Sequence, residues 1–337
     1  MISSLIDSMS TNNININIDF QSLSEEIAVI FTTSRLSNET ISIYEGIRTR
    51  LDRMMKLGIR SDCSVEIYGS ARSGFGIVGS DLDLNLTFPQ AVEELEVLKR
   101  IKKTIRNSCI SSNIIEARTR ILKFRLTSHP DVDSSISLNN YFALRNTELL
   151  NTYSKIDERV PQLVVTVKHW AKMMGIADTI QHTLSQYAHS LLVIYFLQRR
   201  QPPILPNLQN DNKISDFYQE FDCGFDRDYE KYRELAQRNT ETIGELLYNY
   251  FRFYESFGWY DTIVDISRLE RARKESKPIK SQWTKLICIR DPFLTVRNLG
   301  DVCNKEGSRK VISEFGYAAA MISEGRSLAY VLNNNMS

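Results

Sequence analysis

Cysteine is scarce in this 337-residue chain, and its placement excludes more than its number does. Cys63, Cys109, Cys223, Cys288 and Cys303 stand far apart, with no close pair among them. That spacing rules out a Cys-based zinc or redox motif and offers no disulfide framework, so a reducing compartment is expected. The cytoplasm is the first choice, with mitochondrion and nucleus as alternatives. Histidine is scarcer still, with four residues and no zinc-binding spacing. No apolar run approaches the ~20 residues of a membrane-spanning helix, so no membrane partner is expected. Charge of one sign is also lacking. The 42 basic and 41 acidic residues leave a net charge of +1, so any polyanion must be held by local clusters. The opening "MISSLIDSMSTNNININIDF" lacks the basic region and apolar core of a secretory leader, and it is too acidic and lysine-poor for a transit peptide. Ile14, Ile16 and Ile18 alternate within it and predict a short strand.

What is present supports packed cores: 42% apolar and 10% aromatic residues. Helical periodicity runs from Ser37 to Leu57. "CSVEIYG" reads as a strand entering a glycine turn, and "DLDLNLTF" as a second strand. "PQAVEELEVLKRIKKTIRNS" reads as a helix with Pro89 in its first turn and basic residues near its end. Two further strands are expected, one in "NIIEARTRILKFRL" and one in "DSSISL". The second half is mainly helical. In "VPQLVVTVKHWAKMMG", Leu163, Val167, Trp170 and Met174 share an apolar face, with Lys168 and Lys172 off it. "LSQYAHSLLVIYFLQRR" is the most apolar helix and is expected at the centre, ended by the prolines of "QPPILPNLQ". "ETIGELLYNYFRFYESFG" is amphipathic with an aromatic buried side. The fold class is therefore α+β. A mixed strand-helix unit spans about residues 40–145, and a mainly helical region follows, with a cleft between them for a substrate.

The chemistry concentrates in "VEIYGSARSGFGIVGSDLDLNL", Val65 to Leu86. On a strand, residues i and i+2 face the same way, so Asp81 and Asp83 hold two carboxylates side by side while Leu82, Leu84 and Leu86 face the core. Two such carboxylates repel each other unless a divalent cation neutralises them, and Mg²⁺ or Mn²⁺ accepts this oxygen set together with phosphate oxygens. Gly69 and Ser70 follow the preceding strand, where glycine admits a phosphate close to the backbone. The stretch is neither a P-loop, since no G-K-[ST] follows, nor a G-x-G-x-x-G dinucleotide turn. Lys168 and Lys172, at i and i+4, put two ammonium groups on one helix face, as phosphate binding requires.

"YGSARSGFGIVGSDLDLNL" resembles the signature of the DNA-polymerase-beta-like nucleotidyltransferases. The likeness is to their terminal uridylyltransferases and noncanonical poly(A) polymerases. "ISLNNYFALRNTELLNTY", "VKHWAKMMGI", "LSQYAHSLLVIYFLQ", "PPILPNLQ", "IGELLYNYFRFYESFGW" and "RDPFLTVRNLG" resemble the later blocks of that family, in order. The resemblance spans about residues 40–305. It implies a catalytic palm over 40–145, with residues 1–39 and 146–337 forming a helical second domain that contributes to nucleotide and RNA binding. It further implies addition of UMP from UTP to an RNA 3′ end, with ATP addition, or an inactive RNA- or nucleotide-binding scaffold, as alternatives. A single-stranded RNA 3′ end, a nucleoside triphosphate and protein partners in an RNA-processing complex are the implied partners.

By the same resemblance, Gly69, Ser70 and Ser80 would hold the triphosphate, and Asp81 and Asp83 the metal. Asn146 and Thr147 would sense the ribose, Lys168 and Lys172 the outer phosphates, and Tyr187 would stack on the base. Asp291 would sit near the base edge, and Arg297 occupies a position where uridylyltransferases often carry histidine. Gln186 stands where serine is common near the phosphates, and Leu294 replaces a frequent acidic residue. The length of "DPFLTVRN" leans toward the uridylyl type. The third carboxylate departs from the pattern: Ser135 occupies its aligned position, and Asp133, two residues earlier on the same face, is expected to enter through a bulge or shifted register. Arg118, Arg120, Lys123, Arg125 and the run "RLERARKESKPIK" are the candidate RNA-backbone contacts.

Overall fold

The computed structural model describes residues 18–116, 119–210, 213–274 and 281–333. Ile14 and Ile16 lie outside that range, as do Arg118 and residues 275–280 of the second basic run. Ile18 is described and forms no strand; it packs against the core of the helical lobe.

The first lobe is a five-stranded mixed sheet of order β1-β2-β5-β4-β3. Its strands are β1 (Ser64–Tyr68), β2 (Leu82–Thr87), β3 (Cys109–Ile115), β4 (Ile121–Leu126) and β5 (His129–Leu138). β2 pairs parallel to β5, and every other neighbour is antiparallel. One face is apolar and carries Leu82, Leu84, Leu86, Leu122, Phe124, Ile136 and Leu138. A helix pair covers this face. The long α2 (Asn38–Gly58) follows α1 (Phe20–Ser34), and it contributes Tyr44, Ile47, Leu51 and Met55 at three- and four-residue spacing. Its partner α4 (Glu94–Ile105), which follows the one-turn α3 (Ser70–Ser73), contributes Val97, Leu98, Ile101 and Ile105. Ser37 caps α2 by accepting from the Thr40 amide, and Asp52 on α2 accepts from the Val65 amide at 3.0 Å, fixing the helix to β1. With one face filled, the other presents its alternate residues to the cleft.

Two expectations are corrected here. Pro89 is not in the first turn of α4; the helix begins at Glu94, where Glu94 and Glu96 suit the positive end of its dipole. Pro89 lies in a bend, because the Phe88 amide is held by the Asn139 side chain at 2.8 Å. "NIIEARTRILKFRL" is not one strand but the two arms of a hairpin, β3 and β4, paired Ile115 to Ile121.

The second lobe is helical: α5 (Tyr141–Ser154), α6 (Arg159–Met173), α7 (Gln186–Leu197), the short α8 (Arg233–Gln237), α9 (Ile243–Glu255), α10 (Lys305–Ser323) and α11 (Leu328–Asn333). Every residue of α7 from Ala188 to Leu197 is buried, which fits a helix that is apolar all round. Trp170 on α6 is enclosed by Phe251 and Phe315, with ring centroids at 4.8 and 5.3 Å. Thr242 and Glu245 form a capping box at the start of α9. The N-terminal α1 packs on α6 and α9, so it belongs to this lobe, while α5 contacts β1 and α3 and joins the two lobes. Among the described residues no helix is long and apolar enough to cross a membrane.

Candidate active site

The turn after β1 depends on glycine twice. Gly69 has φ +71°, and a Cβ there would stand 2.9 Å from the Asp83 Oδ2. Its amide donates to the Thr147 Oγ1 at 2.8 Å, and that hydroxyl donates in turn to the Ala143 carbonyl. Thr147 therefore anchors the turn to α5. Ser70 follows at the start of α3, and Ser80 closes the loop before β2: its Oγ accepts from the Ile77 amide while its carbonyl accepts from the Tyr44 hydroxyl at 2.8 Å.

Register sets the carboxylates. Across the open face of the sheet, Tyr68, Asp83, Ser135 and Lys123 form one row. The Ser135 hydroxyl donates to Asp83 Oδ1 at 2.8 Å. Burial pushes the Asp83 carboxyl up to about 6, Asp81 adding to the effect while the Ser135 hydrogen bond and Lys123 oppose it. Asp81 is raised as well, first by burial and further by Asp133, against Lys123. Tyr68 is pushed up to about 12 by burial and the Asp83 charge.

Asp133 forms a different row. It sits opposite Arg125, whose Nε and Nη2 both donate to its Oδ1, at 3.0 and 2.6 Å. β5 keeps regular pairing with β2 from Ser134 through Leu138; the only shift on its other side falls between Arg125 and Leu126. Ser135 thus holds the place beside Asp83. Among the described residues no group of three or more His, Cys, Asp or Glu converges as a metal cluster. Asp81 and Asp83 remain as a pair of hard oxygen ligands, raised in proton affinity and in need of positive charge. That donor set fits a divalent cation that takes its other ligands from phosphate and water, as Mg²⁺ does.

A cavity of about 370 Å³ runs from Asp83 into the helical lobe. Gly69, Ser70 and Asp83 line one end; Asn146, Thr147, Lys168, Gln186, Tyr187, Asp291 and Arg297 line the rest. An adjoining hollow of about 560 Å³ shares Ser70, Asp83, Lys168 and Gln186 and adds Ser80, Asp81 and Lys172. The cleft thus brings together every predicted nucleotide residue. Lys168 is buried rather than a surface lysine; it donates to the Phe75 carbonyl, and burial pulls it down to about 7. Three buried polar atoms here have no protein partner: Asn146 Oδ1, Gln186 Oε1 and the Tyr187 hydroxyl. Asp291 is buried and raised by that burial, with Arg297 opposing. Its Oδ1 accepts from the amides of Phe293 and Leu294 and from Asn146, and Arg297 Nη1 stands 3.8 Å from its Oδ2.

Sequence reasoning missed Tyr68, Asn140 and Phe142, which also line the cavity. Tyr68 was legible in principle, because strand parity places it on the face of Glu66 and opposite to Ile67. Arg120 pairs with Glu94 and Glu116 and does not line the cavity, whereas Lys123 falls in the Asp83 row.

The family described as "Poly(A) RNA polymerase, mitochondrial-like, central palm domain" matches residues 23–155, and "Cid1 family poly A polymerase" matches residues 242–297. Terminal uridylyltransferase 7 of Homo sapiens is 33% identical over 294 residues, covering 81% of this chain and 19% of that protein. Terminal uridylyltransferase cid1 of Schizosaccharomyces pombe is 28% identical over 306 residues, covering 82% of this chain and 73% of that one. The chain spans about a fifth or less of the length of its human relatives. A solved cytoplasmic RNA terminal U-transferase superposes with a TM-score of 0.83 at 26% identity, covering 90% of this chain and 93% of that one. The Cid1 poly(U) polymerase gives 0.84 at 26%, covering 94% and 99%. A glycine turn beside paired carboxylates, a helical lobe closing a cleft over them, and these likenesses across the whole described chain lead to one conclusion: it belongs to the Cid1-like family of terminal uridylyltransferases and noncanonical poly(A) polymerases, in the nucleotidyltransferase superfamily.

Proposed function

We propose that this protein transfers UMP from UTP to the 3′ end of RNA. The observation that carries the reading is the cavity that joins the Gly69 turn and Asp83 to the buried Tyr187–Asp291 end, with the hollow that holds Asp81 and Lys172 adjoining it at Ser70, Asp83 and Lys168. Its volume of about 370 Å³, with a glycine turn and Lys168 at one part and Tyr187 and Asp291 at another, suits a nucleoside triphosphate. Ser70, Ser80, Lys168 and Lys172 would face the phosphates. Lys168 gains its full positive charge when polyanionic phosphate enters its buried site. Asn146 Oδ1 is free to accept from a ribose hydroxyl, and the Tyr187 ring offers a stacking face. Uracil presents an N–H between two carbonyl oxygens; the Asp291 Oδ2 accepts from the former and Arg297 donates to one of the latter.

In the reaction, the RNA 3′-hydroxyl gives its proton to solvent as its oxygen bonds to the α-phosphorus; the bridging bond to the β-phosphate breaks, and pyrophosphate leaves with that electron pair. Asp81 and Asp83, with Asp133 as the candidate third carboxylate, would hold Mg²⁺ or Mn²⁺, which when bound neutralises charge on the transferred and leaving phosphates. The test is addition to a labelled RNA from each of the four triphosphates, alone and in competition. UTP should be added in preference; preference for ATP would make the protein a poly(A) polymerase instead.

One observation favours a second reading. Ser135 binds Asp83 and Arg125 holds Asp133, so the site has two carboxylates where three were expected. A scaffold that binds nucleotide without turnover would fit that geometry. UTP binding with no addition to any of several RNAs would select it.

A further inference from the structure

The carboxylate pair is walled on one side and open on the other. Gly69, Ser70 and Lys168 enclose the phosphate side. On the opposite side β5 and β4 present Lys123 and Asp133, both exposed, and the half-exposed Arg125, while Ser135 is buried beside Asp83. Phosphoryl transfer requires the attacking oxygen opposite the leaving one, so an RNA end reaching Asp81 and Asp83 must lie over this open face. Two cations meet it there, Lys123 and Arg125, on one strand and two residues apart.

Arg125 is already committed, but weakly. Its ion pair with Asp133 leaves the side chains 43% and 57% exposed, a class of contact worth ~0–1 kcal/mol. Both guanidinium nitrogens converge on one oxygen, Oδ1, rather than spanning the carboxylate fork. A phosphate diester offers that fork two oxygens and competes well for it. Asp133 lies one position before Ser134, as Asp81 lies one before Leu82, so the parallel Leu82–Ser134 pairing sets the two at the same end of the β2–β5 ladder.

We propose that Arg125 and Asp133 form a latch opened by RNA: a backbone phosphate takes the Arg125 guanidinium, and the released Asp133 carboxylate turns to Asp81 and completes the cation site only when the RNA end is in place. This rests on the proposed RNA-tailing function. Ser135 keeps the place beside Asp83 neutral, so without RNA the site holds its cation through two carboxylates alone. By linkage, RNA and cation each raise the affinity for the other by the same factor.

The experiment is a Mn²⁺ titration of the full chain, read by the electron paramagnetic resonance of free Mn²⁺. It is run with and without an RNA oligonucleotide ending in a 3′-deoxynucleotide, with the RNA-alone titration subtracted. RNA should tighten Mn²⁺ binding by about tenfold in the native chain. Arg125→Met should bind Mn²⁺ tightly without RNA and gain little from it. Asp133→Asn should stay at the weak value in both conditions. Melting curves check that both exposed-site variants are folded. An RNA-induced shift of native size in Asp133→Asn, or unchanged Mn²⁺ affinity in RNA-free Arg125→Met, overturns the latch. Asp81→Asn separates the two levels. If it too leaves Mn²⁺ binding unaltered, the underlying site assignment fails; if it abolishes binding while Asp133→Asn has no effect, only the latch fails.

Discussion

Asp83 and Asp133 lie on the same sheet face, one row apart, and they behave as opposites. Asp83 is buried beside Asp81, capped by a serine hydroxyl, and held up to about 6. Asp133 is exposed and ion-paired with Arg125. Two residues of register separate a buried carboxylate raised in proton affinity from an exposed one held by a guanidinium. Proteins tolerate the first kind where a ligand supplies the missing charge, and the contrast is what motivates the proposed cation site.

The largest effects should come from the buried carboxylate. Asp83→Asn should reduce UMP addition at least a thousandfold, on the order of what is lost with a principal electrostatic group. The same change should stabilise the ligand-free protein at pH 7 by roughly 3 kcal/mol, an order-of-magnitude figure from the shift between 3.8 and about 6. The folded-state value is raised, so the folded protein binds the proton more tightly. Stability linked to Asp83 is therefore present at low pH and lost as pH rises from about 4 to about 6. As pH rises across that window, the melting temperature of the native protein should drop relative to that of Asp83→Asn. Mn²⁺ affinity should move the other way, weakening as pH falls through about 6. Melting that rises with pH across this window in the native protein alone would break the comparison.

Next comes Gly69→Ala. Positive φ and the 2.9 Å approach to Asp83 should together cost about 1–3 kcal/mol by denaturant titration, with addition lowered in step. Ser135→Asp sharpens the comparison by placing a carboxylate directly beside Asp83. Removing a hydrogen-bond donor and adding like charge should lower the ligand-free melting temperature while tightening Mn²⁺ binding. Unchanged Mn²⁺ affinity would show that the Asp83 row is not the cation site. The smallest effect belongs to the far end of the cavity. Arg297→Met removes a donor at the base edge and should reduce the UTP-over-ATP preference by about tenfold, the scale of one charged hydrogen bond. The readout is the ratio of kcat/KM for the two triphosphates.

Much of this was legible in the sequence because it depends on local periodicity. Strand parity separates Asp81 and Asp83 from Leu82, Leu84 and Leu86, and the β2–β5 register keeps them so. The apolar face of Leu163, Val167, Trp170 and Met174 is buried as a unit, and α7 is central. What was hidden depends on distant partners. The hairpin of β3 and β4 is masked because Glu116, Arg118 and Arg120 continue the alternation of polar residues through the reversal. Lys168 reads as a surface lysine until the Phe75 segment, 93 residues away in sequence, is folded over it. The serine cap on Asp83 requires the order of strands in the sheet, which no local pattern encodes, and the Arg125–Asp133 pair requires the register of the β4–β5 hairpin.

The account stands most directly on the single-turnover rate of UMP addition from UTP to a labelled RNA, measured for the native chain beside Asp81→Asn. The prediction is addition by the native protein and at least a thousandfold loss in the variant, with UTP still bound in the cavity. Addition by Asp81→Asn at the native rate would contradict it, as would a folded, UTP-binding native protein that adds no nucleotide from any triphosphate.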